Sequence, residues 1–212
     1  MAARTTFASR AAGRARRARV PRRRVRNRRL AAFLVLLSLG ALTGVALTLL
    51  DPVGRAIKEL TLPLQHEDII RQQAADKELD PALIAAVIYG ESKFRDQTSK
   101  AGAQGLMQIL PETADFIARR TGGSEFEVSD LSNPQVNIAY GCWYLRYLLE
   151  RYDQNEVAAI AAYNAGHRRV DDWGGGSLRL QEIRFPETTQ YTRQVLDKRG
   201  EYAKRYRREL GL

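Results

Sequence analysis

The chain has 212 residues and a formal net charge of +10, enough for one domain of roughly 100 to 200 residues with segments to spare. Residues 1–29 contain twelve arginines, no lysine and no acidic residue, which leaves 22 basic against 24 acidic residues in all that follows. A nucleic-acid-binding domain spreads its cations over a folded face, so this near-neutral remainder argues against nucleic acid as a partner; the sole cysteine, Cys142, offers neither an internal disulfide nor a multi-cysteine metal site.

After the Arg-rich tail, residues 30–50 form an uncharged run, LAAFLVLLSLGALTGVALTLL. At about 1.5 Å per helical residue, 21 residues reach roughly 30 Å, one hydrocarbon thickness. The run is apolar on every side, which suits a transmembrane helix better than a core helix with one wet face. A cleaved signal peptide is the alternative, with Gly44 and Ala46 small enough for cleavage, but the run exceeds the usual apolar region of about 7 to 15 residues. Basic residues beside a span stay in the cytoplasm. The expectation is a single pass through the cytoplasmic membrane, with the tail inside and everything after residue 50 outside. Residues 51–64, with Pro52, Gly54 and Pro63, read as a linker.

From residue 65 to 212 the pattern is that of one all-α domain. HEDIIRQQAADKEL is amphipathic, and Asp80-Pro81 opens the next helix, with Asp80 as cap and Pro81 at the first helical position. That helix, PALIAAVIYGE, is apolar nearly all round and therefore buried. Residues 96–108 read as a loop, followed by a helix from Pro111. Asn133-Pro134 repeats the cap-and-proline signal before a long helix with Ile138, Cys142, Leu145 and Leu149 on one face. Asn155 caps EVAAIAAYNAG, residues 174–176 are a glycine loop, and a last helix is expected over residues 187–206. No convincing strand pattern or internal repeat occurs.

Glu91 ends the buried helix. Apolar surroundings penalise its ionised form and keep the proton to higher pH, which makes it a candidate general acid. A glutamate that simply reaches solvent is the alternative reading of this context. Cys142 beside Trp143 reads as packing, and Tyr140, Trp143, Tyr144 and Tyr147 at helical spacing read as core. His66 and His167 have no partners at metal-ligand spacing, so no metal is expected, and no nucleotide-loop or serine-elbow motif implies a cofactor.

The blocks ESKF, GAQGLMQILPETA, NPQVNIAYGCWYL, AAYNAG and FPETTQYT, in this order across residues 67–206, resemble the soluble-type (goose-lysozyme-like) lytic transglycosylases. The resemblance implies a helical domain whose groove binds the glycan strands of peptidoglycan and cuts between N-acetylmuramic acid and N-acetylglucosamine. Glu91 would be the single catalytic acid/base, and the product a 1,6-anhydro end. Ser92, Met107, Gln108, Tyr163, Asn164 and Tyr191 fall on substrate-binding positions, with Tyr163 expected to donate a hydrogen bond to Glu91. For Met107 and Tyr163, ordinary packing stays open. The spacing departs from the family in one place, where Ser99 arrives one residue early in ESKFRDQTS. A hydrolytic muramidase on the same fold would need a second carboxylate to activate water, and a non-catalytic wall-binding scaffold would not need Glu91, Gln108, Tyr163 and Asn164 together.

Overall fold

The computed structural model describes residues 61–123 and 125–212. The expected tail at 1–29, the membrane span at 30–50 and residues 51–60 of the linker lie outside the described residues. Among the described residues no helix is long and apolar enough to cross a membrane.

Eight α-helices make up the described domain: α1 (Glu67–Asp76), α2 (Pro81–Ser92), α3 (Pro111–Thr121), α4 (Pro134–Arg151), α5 (Glu156–Ala165), α6 (His167–Trp173), α7 (Pro186–Arg205) and α8 (Arg207–Leu210). The capping signals act as expected. Asp80 Oδ1 accepts from Ala82 N at 2.8 Å, Asn133 Oδ1 from Gln135 N at 2.9 Å and Asn155 Oδ1 from Ala158 N at 3.2 Å. Each satisfies an amide that the first helical turn leaves without a partner.

The core forms around α2 and α5, the two helices with apolar residues on all sides. In α2 residues 82–88 are all buried, and in α5 residues 158–162 are. Helix α7 packs on both, while α4 packs against α5 and α1 against α2. Burial of a Leu, Ile or Val side chain is worth roughly 2 kcal/mol, so Leu83, Ile84, Val87 and Ile88 fix α2 firmly. Cys142 is fully buried, and burial pushes its thiol up to about 12, as suits a packing residue.

Two sequence expectations change. The linker does not run to residue 64: Leu62 is fully buried, Tyr206 Oη donates to its carbonyl at 2.6 Å, and Tyr202 Oη donates to that of Pro63 at 2.5 Å. The aromatic ends of α7 thus draw these residues into the domain. The glycine loop is preceded by the short helix α6 and tightens into a 3₁₀ turn, Gly175–Ser177, pinned by Asn155 Nδ2 donating to the carbonyls of Gly176 and Leu178. The last helix, expected over residues 187–206, runs from Pro186 to Arg205 as α7 and is followed by the short α8.

Candidate active site

Glu91 lies in the last turn of α2, against which α7, about a hundred residues on in the sequence, packs. Tyr191 Oη donates to Glu91 Oε1 at 2.6 Å. The approach depends on Gly90: a Cβ there would stand 3.1 Å from the Tyr191 ring and 3.2 Å from Val195 Cγ2. Glu91 is part-exposed as a residue, but its carboxyl sits among protein atoms that cannot solvate charge. Burial lifts its pKa from 4.5 to about 7, and the hydrogen bond from Tyr191 works in the opposite direction. The first effect favours the acid and the second the carboxylate. No second carboxylate among the described residues contributes to the rise.

The segment from Gln97 to Ile109 forms a compact loop beside this site. Isolated antiparallel bridges join Thr98 to Gln104 and Gln104 to Ile109. The early Ser99 closes its own turn, its Oγ accepting from Ala103 N at 3.0 Å and its amide donating to the Ala103 carbonyl at 2.8 Å. Gly105 has φ +75, and a Cβ there would collide with Asn137 Nδ2 at 2.1 Å, so the position requires glycine. Asn137, buried on α4, holds the loop from below. Its Oδ1 accepts from Met107 N at 2.8 Å, and its Nδ2 donates to the carbonyls of Gln104 at 2.9 Å and Leu131 at 3.0 Å. Sequence reading missed Asn137; the available signal was an amide at a buried position of the α4 stripe, where a polar group must be fully bonded.

The expected binding residues divide into three groups. Tyr163 and Asn164 line a cleft of about 680 Å³ together with Glu112, Phe116, Tyr144 and Arg168. Ser92 and Met107 do not present free side chains: Ser92 is buried with Oγ donating to the Ile88 carbonyl at 3.2 Å, and Met107 is fully buried. Gln108 adopts φ +48, and its Nε2 donates to the carbonyls of Gln97 at 2.9 Å and Gly105 at 2.8 Å. Its donors therefore brace the loop, and the amide oxygen is the atom left to accept from a ligand.

Tyr163 and Tyr191 exchange the roles expected of them. Tyr163 Oη donates to the Met107 carbonyl at 3.0 Å, not to Glu91. It still lies near the acid, because burial first and the charge of Glu91 second push its phenol well above the usual value. Tyr191, expected to contact substrate, is buried and supplies the bond to Glu91. Asn164 Oδ1 accepts from Thr188 Oγ1 at 2.9 Å, which leaves its amide hydrogens without a partner among the described residues.

The aromatic residues of α4 are half-buried, and Tyr140, Tyr144 and Tyr147 pack against the core. Trp143 and Tyr147 stack at 5.7 Å, Phe116 meets both edge-on, and Tyr144 packs on Tyr163 at 5.6 Å. Tyr144 thus forms cleft wall, whereas Trp143 and Tyr147 line a separate cavity with Arg146 and Glu150. His167 also lines the cleft; burial and the nearby Arg151 lower its pKa. Among the described residues no group of three or more His, Cys, Asp or Glu side chains is placed to hold a metal ion.

The profile of the family described as "Transglycosylase SLT domain" matches residues 68–184. The soluble lytic murein transglycosylase of Escherichia coli is 32% identical over 147 residues, covering 65% of this chain and 23% of that protein. The membrane-bound lytic murein transglycosylase C of Actinobacillus pleuropneumoniae is 34% identical over 112 residues, covering 48% of this chain and 31% of the relative. Among solved structures, an inactive Glu-to-Gln mutant of the lytic transglycosylase Slt from Pseudomonas aeruginosa superposes with TM-score 0.65 at 33% identity. That match covers 69% of this chain and 25% of the other, so the chain spans about a quarter of the larger relatives. A profile covering more than half of the sequence, an ordered set of motifs and a shared fold agree: the chain belongs to the transglycosylase SLT domain family.

Proposed function

We propose that the domain cleaves peptidoglycan glycan strands as a lytic transglycosylase, with Glu91 as its single acid/base. The observation that carries this reading is a carboxyl with a pKa raised to about 7, hydrogen-bonded by Tyr191 and near enough to Tyr163 of the cleft wall for its charge to act there. At neutral pH such a group is protonated about half the time, so it can give its proton to the glycosidic oxygen as the bond between N-acetylmuramic acid and N-acetylglucosamine breaks. The muramic acid's acetamido oxygen stabilises the cationic sugar. The Glu91 carboxylate, held by Tyr191, then takes the proton from that sugar's 6-hydroxyl, whose oxygen closes the 1,6-anhydro ring. Glu91 ends protonated, and no water is consumed.

The opposing influences on Glu91 suit this cycle, which uses one group in both protonation states. A hydrolase commonly divides acid and base between two carboxylates. The names of the relatives carry the same activity, and in the Pseudomonas structure an inactive enzyme has a glutamate changed to glutamine. The test is digestion of purified sacculi followed by mass spectrometry: anhydromuropeptides are expected from the native protein. Glu91→Gln should lower turnover by at least the roughly 10² to 10⁴ that general acid catalysis supplies. Reducing-end products, heavier by one water, would establish hydrolysis instead.

The proposal extends to placement. Residues 30–50 anchor the chain in the cytoplasmic membrane, and the arginines of residues 1–29 keep the tail inside. Each arginine carried into a bilayer costs about 2.5 to 3.5 kcal/mol on the insertion scale, so the reverse orientation is disfavoured. A reporter active only outside the cytoplasm, fused after Leu212, should be active; activity of a cytoplasmic reporter alone would contradict both topology and wall cleavage.

A further inference from the structure

We propose that the cavity lined by Trp143 and Tyr147 is a second saccharide site, separate from the cleft, which takes neutral N-acetylated sugar units; for the identity of that ligand the proposal rests on the glycan-cleaving reading. The cavity measures about 480 Å³, and both rings on its wall are half-buried. They stack on each other with centres 5.7 Å apart and planes 5° from parallel. Two rings of the cleft wall touch them. Phe116 meets Trp143 and Tyr147 edge-on at 6.0 Å and 5.4 Å, and Tyr144 stacks on Tyr147 at 6.1 Å. One layer of aromatic rings thus stands between the cleft and this cavity.

The charge around the rings selects against an ionic ligand. Asp76, Glu78 and Glu150 are matched by Lys77, Arg120 and Arg146, three against three, so the wall gives no net attraction to an ion of either sign. The protein itself engages the cations. Arg146 donates through Nε to the Lys77 carbonyl at 2.7 Å and through Nη2 to that of Glu78, and Lys77 Nζ donates to Gln73 Oε1 at 2.5 Å. The Arg120 guanidinium lies 4.9 Å from the Phe116 ring centre and 5.5 Å from that of Tyr147. Glu78 has φ +51, and the two carbonyls held by Arg146 flank its Cα, which fixes this part of the rim. The three carboxylates are exposed and make no hydrogen bond or ion pair with another described residue. Their oxygens are acceptors only. A ligand for this cavity therefore brings an uncharged apolar face for the rings and several O–H or N–H donors at its edge. An N-acetylated pyranose has both, in its C–H groups and in its hydroxyls and acetamido N–H.

Trp143 and Trp173 are the two tryptophans of the chain, and Trp173 packs on Phe185 at the end of α6. Trp173→Phe in the full chain therefore leaves Trp143 as the one tryptophan reporter. Titration with N,N′-diacetylchitobiose, a neutral pair of N-acetylated sugars, should change its emission saturably. Glu150 and Tyr147 line this cavity and not the cleft. Glu150→Ala and Tyr147→Ala, each added to Trp173→Phe, should raise the midpoint of that titration about tenfold, the scale of one charge-assisted hydrogen bond or one ring contact. Glu150 is exposed, so Glu150→Ala should melt with its parent and keeps the test sound if Tyr147→Ala does not fold. An emission change with the same midpoint in the parent and in Glu150→Ala would put the sugar in the cleft and overturn the second site. No emission change, in a protein that still cuts sacculi to anhydromuropeptides, would overturn it as well and leave the glycan reading intact. Saturable, Glu150-dependent emission in a protein that leaves sacculi uncut would support the sugar site and overturn the glycan-cleaving reading instead.

Discussion

Replacing Glu91 by glutamine tests the electrostatics of the site apart from its chemistry. Burial raises the carboxyl from 4.5 to about 7, so the folded domain retains a proton that the unfolded chain releases between those values. The sign follows from linkage: the favourable contribution of the protonated group is complete below pH 4.5 and is lost as pH rises through 7. A displacement of that size is worth about 3 kcal/mol. Glutamine keeps the acceptor for Tyr191 and carries no charge at any pH. The stability of Glu91→Gln relative to the native protein should thus rise by about 3 kcal/mol between pH 4 and pH 8, and other titrating groups cancel because both proteins share them. For a domain of this size that equals roughly 6 to 12 °C in melting temperature. Thermal melts of both proteins across this range measure it. A difference independent of pH would show that Glu91 titrates as an ordinary surface glutamate, and the acid role assigned to it would fail with it.

Three further substitutions follow from the same geometry. Tyr191→Phe removes the hydrogen bond that lowers the Glu91 pKa, so the high-pH limb of the rate profile should move upward, with stability falling by about 1 kcal/mol; an unmoved limb would assign Tyr191 to packing alone. Asn137→Ala leaves three partners of a buried amide unmatched and should cost roughly 3 kcal/mol or more in urea denaturation, at 1 to 3 kcal/mol per orphaned group. Gly90→Ala puts a methyl against the Tyr191 ring, and should lower kcat with helical dichroism intact; full activity would mean that the α2–α7 spacing has slack.

Local chemistry made the helices legible. Each of Asp80, Asn133 and Asn155 announces a helix start through bonds to amides two or three residues away, and the all-apolar stretch of α2 identifies the buried helix that carries Glu91. What escaped depends on contacts distant in sequence. The Glu91 partner lies 100 residues away on α7, and two tyrosines with similar motif contexts, Tyr163 and Tyr191, are distinguishable only once α5 and α7 are packed. The Met107 site has the same character: a methionine in a glycine turn reads equally as substrate contact or packing until Asn137, 30 residues on, draws its amide inward. Helix α6 went unseen because seven residues give too short a window for periodicity to register.

The arrangement of α7 against α2 explains how one carboxyl keeps its environment. Arg199 on α7 donates through Nε to Asp80 Oδ2 at 2.5 Å and through Nη1 to Glu156 on the first turn of α5. Asp80 thus caps α2 with one oxygen and ties it to α7 with the other. At the opposite end of α2, Tyr191 binds Glu91. From Asp80 to Glu91 is about 16 Å along a helix, and from Tyr191 to Arg199 about 12 Å, at 1.5 Å per residue. Both contacts can form together only if α7 runs antiparallel to α2 in one register. A slide of α7 by one turn, about 5.4 Å, would break both pairs and expose the carboxyl to water. The half-exposed ion pairs of Arg199 add little stability by themselves. Their consequence lies in register: they fix the depth at which Tyr191 meets Glu91, and hence the balance between burial and hydrogen bonding that holds the acid near neutrality.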